Sequence, residues 1–88
     1  MMLLPPGVSL SAVTRMSVDV ADSPGALLRV LGVCQRRGAR VVAMTYGPDG
    51  ERARIELALS ADERALRLAR ARLAALVDVH AVTARPPA

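Results

Sequence analysis

The stretch Asp22-Ser23-Pro24-Gly25-Ala26-Leu27-Leu28 constrains this chain more than any other. It separates two hydrophobic patterns of different period. Upstream, Met16, Val18 and Val20 alternate with Arg15, Ser17 and Asp19, the signature of a strand with one face on a core and one in water. Downstream, Leu27, Val30, Leu31 and Cys34 recur at helical spacing. Such a switch demands a tight strand-to-helix turn, and the residues suit one. Asp22 or Ser23 can offer a side-chain oxygen to an orphan helix amide. Pro24 fits the first helical position, where its missing N–H is no loss. Gly25 leaves the backbone bare where the helix opens. The stretch therefore reads either as a well-made turn alone or as a place where a ligand carboxylate meets the positive end of a helix dipole.

The remainder of the chain repeats the two patterns. The first strand is expected over residues 13–21 and the first helix over 24–37, with Gly38 as a left-handed cap behind Arg36 and Arg37. Residues 40–46 form a second strand, whose run Val41-Val42-Ala43-Met44 places apolar groups on both faces. A strand of that kind is covered on both sides, here by a second chain or a ligand. Gly47-Pro48-Asp49-Gly50 is a turn. In the third strand, residues 51–59, Ala53, Ile55, Leu57 and Leu59 alternate with Arg52, Arg54, Glu56 and Ala58. Ser60 with Glu63 fits a capping box opening a second helix, whose stripe is Leu66, Ala69, Leu73 and Leu76 and whose end lies near Val77. The fourth strand, 78–84, has Val79 and Val82 three apart, which implies a bulge or a late start.

The order βαββαβ specifies an α+β, ferredoxin-like fold: a four-stranded antiparallel sheet of order 4-1-3-2 with two helices on one face. One domain over 13–84 is expected, with a flexible arm at 1–12, broken by Pro5-Pro6-Gly7, and a tail at 85–88. Strand two is then an edge, and a homodimer through strand two and helix one is expected.

Composition narrows the chemistry. A chain of 88 residues builds one small core, and Tyr46 is its only aromatic, so stability is modest unless a second chain covers more surface. The net charge is +4 and all the basic residues are arginine; Arg64, Arg67, Arg70 and Arg72 of the second helix read as a solvated face. Strands one and three carry no aromatics to stack bases, so nucleic acid is not expected as a partner, and the solvated reading of the arginine face sets a membrane aside as well. Cys34 and His80 stand alone, without partners at metal-ligand spacing, and Cys34 fits a buried small hydrophobe. Internal disulfides are impossible and neither a signal peptide nor a membrane span is legible, which points to the cytoplasm. Ser23 has no base nearby in sequence, and Asp19 and Asp22 make a poor carboxylate pair. Binding is expected rather than catalysis, with no catalytic residue, metal or cofactor in this chain.

The segment Val18-Asp19-Val20-Ala21-Asp22-Ser23-Pro24-Gly25-Ala26-Leu27 resembles the opening of an ACT domain: an alternating strand, then D-x-P-G-x-L, then a helix. Gln35-Arg36-Arg37-Gly38-Ala39-Arg40-Val41 looks like the family's R-G-x-N-I stretch entering strand two, with Arg40 in the place of Asn. Leu76-Val77-Asp78-Val79 resembles the close of the domain in small regulatory subunits of acetolactate synthase. The likeness covers roughly residues 13–83. It implies a non-catalytic subunit, of the short single-domain type, that activates or stabilises a thiamine-diphosphate catalytic large subunit in branched-chain amino-acid biosynthesis. The alternative it leaves open is a stand-alone amino-acid sensor acting on another metabolic enzyme. By the same resemblance, Asp22, Ser23, Pro24, Gly25, Ala26 and Leu27 would form an effector site at a dimer interface, with Arg40, Val41 and Val42 across from them. Arg40 would either grip an effector carboxylate or close the site by pairing with Asp22.

Overall fold

The computed structural model describes residues 13–85. The elements run β1 (Thr14–Ala21), α1 (Ala26–Arg36), β2 (Arg40–Asp49), β3 (Arg52–Ser60), α2 (Glu63–Ala74) and β4 (Val79–Arg85). They build one antiparallel sheet of order β2-β3-β1-β4. This is the expected order 4-1-3-2 read from the other edge, in a ferredoxin-like βαββαβ fold. The expected arm at 1–12 and most of the tail fall outside the described residues, and Arg85 belongs to β4 rather than to a tail.

The central pair carries the core. Met16, Val18 and Val20 of β1 stand opposite Leu57, Ile55 and Ala53 of β3, and all six are buried. Above them pack Ala26, Val30, Val33 and Cys34 of α1 and Ala69 and Leu73 of α2. Each fully buried aliphatic side chain contributes about 1.5–3 kcal/mol. Leu27 and Leu31, expected in the α1 stripe, are only partly buried, because they face the uncovered edge; Ala26 and Val33 take the inner positions. Burial raises the Cys34 thiol above its ordinary pKa, in keeping with a small core hydrophobe. On the opposite sheet face Ser17 Oγ donates to Glu56 (2.6 Å), and Arg54 lies between Asp19 (3.8 Å) and Asp49 (3.4 Å).

Both outer strands are bulged. In β4, Val79 pairs with Val20 and Ala81 with Asp19, so His80 is the extra residue and Val79 and Val82 return to one face. A second bulge, at Val42, brings Val41 and Met44 onto the helix-side face opposite Leu59 and Leu57. The strand β2 also runs on to Asp49, through the expected turn. Pro48 is tolerated there because an edge strand can spare an N–H. The turn is the two-residue loop Gly50-Glu51; Gly50 has φ +67° and no described non-glycine residue has positive φ, which makes it a type II′ hairpin.

The helix ends differ from expectation in instructive ways. The helix α1 begins at Ala26, with Gly25 at the cap position and no side-chain capping bond. Pro24 lies in the turn before the helix rather than at its first position. The C-terminus is a Schellman motif: Ala39 N donates to Cys34 O (2.9 Å), Gly38 N donates to Gln35 O (3.2 Å), and Gly38 has φ +76°. At α2 the cap is Asp62, not Ser60; Asp62 Oδ1 accepts from Ala65 N at 2.7 Å. The helix stops at Ala74, and Leu76 packs on the core from the following turn.

Asp62→Ala should therefore cost about 0.5–2 kcal/mol in urea unfolding, while Ser60→Ala should stay within about 0.5 kcal/mol. The reverse ranking would contradict this capping assignment.

Candidate functional site

Antiparallel geometry fixes which ends of the elements meet. The end of β1, the start of α1 and the end of β2 share one end of the sheet. There Asp22, Ser23, Pro24, Leu27 and Tyr46 line an open groove of about 410 Å³. The start of β2 meets the end of α1 at the opposite end. A second groove of about 450 Å³ lies there, lined by Leu31, Gln35, Gly38, Ala39, Arg40 and Val41. The residues expected in one site are thus divided. Asp22, Ser23, Pro24 and Leu27 gather at one end, beside Gly25 and Ala26; Arg40 and Val41 stand at the other, with Val42 next to them. An α1 of 11 residues spans about 16 Å. Within one chain, then, Arg40 neither pairs with Asp22 nor reaches the start of α1.

Within the chain the partner of Asp22 is Tyr46, which is absent from the sequence reading of the site. Its hydroxyl donates to Asp22 Oδ1 at 2.7 Å. That bond to the carboxylate, reinforced by some desolvation and the Asp22 charge, pushes the Tyr46 hydroxyl above its ordinary value of 10.0. Nothing local in sequence signals the pair, because 24 residues separate its members.

The opening of α1 carries a further unanticipated group. A Cβ placed on Gly25 would come within 2.5 Å of Arg29 Nη1. The bare face of Gly25 is occupied by this chain's own guanidinium rather than left open for a ligand. A cation near a helix N-terminus opposes the dipole, and Arg29 is offset by an ion pair with Asp78, in the turn after α2. The Asp78 carbonyl also accepts from Ala21 N (2.8 Å), so one residue ties the ends of β1 and α2 to the start of α1. Ala26 N donates to Ser23 O (3.2 Å) and Ser23 N to Ala21 O (2.8 Å). The Ser23 Oγ is buried and without a hydrogen-bond partner among the described residues. The groove that Tyr46 and Asp22 bound is closed on the other side by Ser23, Pro24 and Leu27, while the Arg29 guanidinium lies over Gly25 and on Asp78, outside that lining. The unpartnered Ser23 hydroxyl, the first-turn amides of α1 beside it and the Leu27 side chain can take a small molecule with a polar head and an apolar body.

The edge between the two grooves is apolar. No residue of β2 is buried; Val41, Val42 and Ala43 are half-buried, and Met44 and Tyr46 are 38% and 41% exposed. Leu28 on α1 is 72% exposed. Among the described residues no group of three or more His, Cys, Asp or Glu side chains is placed to hold a metal ion, and no helix is long and apolar enough to cross a membrane.

Comparison with known proteins yields a family match and a set of similar folds. A family model described as ACT domain matches residues 22–82. No curated protein sequence matches the chain. The ACT domain of GTP pyrophosphokinase from Chlorobium tepidum superposes with a TM-score of 0.70 at 12% identity, over 83% of this chain and 96% of that one. The regulatory subunit of aspartate kinase from Thermus flavus gives 0.67 at 19% identity, over 99% of this chain and 55% of that one. A homoserine dehydrogenase from Thiobacillus denitrificans gives 0.66 at 22% identity, over 88% of this chain and 18% of that one. At these identities the likeness is one of fold. This chain spans about half of the kinase subunit and under a fifth of the dehydrogenase.

Because Tyr46 is the only aromatic residue, tyrosinate absorbance reports on it alone. Its titration midpoint should lie above 10.0 and fall back toward that value in Asp22→Asn. The neutral phenol is the form favoured on folding, so this contribution to stability is present below the unfolded pKa and is lost as pH rises through the folded one. A midpoint that Asp22→Asn leaves in place would contradict the bond.

Proposed function

The chain belongs to the ACT domain family, and from that premise we propose that it is a non-catalytic regulatory subunit of acetolactate synthase, working as a homodimer paired through β2 and α1. The observation that carries this is the divided site. Two grooves flank one exposed apolar edge strand, and each holds half of the residues that an amino-acid carboxylate and side chain would need.

Antiparallel pairing of β2 with a second copy, centred near Ala43, supplies what a single chain lacks. It satisfies the unpaired backbone of the edge and covers Met44 and Val41. It also sets the Arg40 groove of one protomer against the Asp22–Tyr46 groove of the other, at both ends of the contact. The effector carboxylate then sits between the first turn of α1, with Ser23, and the guanidinium of the partner's Arg40. Arg40 in this arrangement grips a ligand. The apolar lining contributed by Leu27 and Leu31 suits an aliphatic side chain, in line with branched-chain amino acids.

The link to acetolactate synthase is supported by Leu76-Val77-Asp78-Val79, whose Asp78 holds Arg29 over Gly25 at the opening of α1. In this reading the closing motif fixes the helix start beside the effector site as well as the end of the fold. The catalytic partner would be the thiamine-diphosphate large subunit; no residue of this chain is assigned to catalysis or to that cofactor.

Adding the full chain to its cognate large subunit should raise turnover; an unchanged rate rejects the acetolactate synthase role and leaves a sensor for another enzyme. Calorimetry against valine, leucine and isoleucine tests the site separately. Arg40→Asn should weaken binding by roughly 1.5–3 kcal/mol, the range for a hydrogen bond to a charged group. Binding that improves in the variant would mean that Arg40 blocks the site, and no heat with either protein would leave a domain that only supports its partner.

A further inference from the structure

The chain's charge is segregated. Segments 24–38 and 62–78, which hold both helices and their ends, contain seven of the twelve basic residues and three of the eight acidic ones. The strands and their turns hold the other five of each, so the whole net charge of +4 resides on the helical layer. Of the arginines in that layer, only Arg29 is in an ion pair among the described residues.

Three of the others converge. Arg36, Arg37 and Arg72 surround a groove of about 330 Å³ between the helices, together with Val33, Ala75 and Leu76. The Arg36 guanidinium lies along the bare face of Gly32, where an added Cβ would come within 3.2 Å of Nη1. Helix dipoles account for one arginine in each last turn. They do not account for three arginines, from the end of α1, its cap and α2, lining one groove with Val33, Ala75 and Leu76 and no carboxylate in that lining. Like charges brought together repel, and an anion relieves that cost.

We infer that this helical face docks an acidic peptide segment of a partner protein, with carboxylates on Arg36, Arg37 and Arg72 and an apolar side chain on the floor formed by Val33 and Leu76. It rests on the regulatory reading only in requiring that the partner be a protein. Guanidinium forks match carboxylates two bonds at a time. The apolar members of the lining, Val33, Ala75 and Leu76, suit a side chain and give a phosphate nothing. The face also has no aromatic on which a base could stack, since Tyr46 lies on β2.

The test uses the full chain and a fluorescein-labelled synthetic peptide rich in glutamate with interspersed leucines. Controls are the same peptide with glutamine for glutamate and a labelled oligothymidine. The acidic peptide should bind by anisotropy, with amide shifts on α1 and α2, and should bind more tightly than either control. Arg36→Glu with Arg72→Glu should lower its affinity by about tenfold or more, in the range for lost charge-assisted bonds. If circular dichroism shows that variant misfolded, Arg36→Gln with Arg72→Gln should give a smaller loss in the same direction. Amino-acid binding at the β2 edge should be unchanged in either, so this inference and the effector site can fail separately. Oligothymidine binding as tight as the peptide, no peptide binding, or full affinity in the charge variants would each overturn it.

Discussion

The edge position of β2 is the constraint on which the rest of this structure depends. A right-handed crossover from β1 carries the chain past the place β3 later fills, so β2 is left with a neighbour on one side only. The helix α1 packs over β1 and β3, where Val30 and Cys34 meet the buried aliphatic ladder. Val41, Met44 and Tyr46 share that face; Val41 packs at the margin of the core, and Met44 and Tyr46 stand exposed. The same geometry opens a groove at each end of the edge, one carrying Asp22 and Tyr46 and the other Arg40.

The opening of α1 depends on side chains rather than on a cap. Its N-terminus lacks a capping oxygen and has a guanidinium lying across Gly25. Asp78 balances that cation and binds the end of β1 through its carbonyl. The end of α2, the end of β1 and the first turn of α1 are joined through this one acid. The Tyr46 hydroxyl makes a comparable tie across the groove, from the edge strand to Asp22.

Much of the fold was legible because the strands of the central pair alternate cleanly. Met16, Val18 and Val20 and the set Ala53 to Leu59 give direction, face and partner together. The bulge at His80 was legible as the three-residue step from Val79 to Val82. The equivalent step from Val41 to Met44 was hidden, because Val42 and Ala43 are apolar too and the run has no visible period. Ser60 and Asp62 both precede α2, and only backbone conformation decides that Asp62 faces the Ala65 amide. The start of α1 was legible as a turn but not in its detail. Ser23 and Pro24 offered capping signals that the backbone does not use. The Tyr46–Asp22 and Arg29–Asp78 pairs join residues 24 and 49 positions apart, so only the assembled sheet reveals them. The separation of Arg40 from Asp22 was not legible either: α1 runs between them and holds them at opposite ends of one chain, a distance that only the assembled fold reveals.

The central claim is that two edge strands pair and complete the site between them. Amide hydrogen exchange of β2 as a function of protein concentration tests it most directly. The account predicts that the β2 amides not bonded to β3 become more protected as concentration rises, while those of β1 and β3 stay unchanged. Exchange of those outward amides at the same fast rate across the whole concentration range would contradict it.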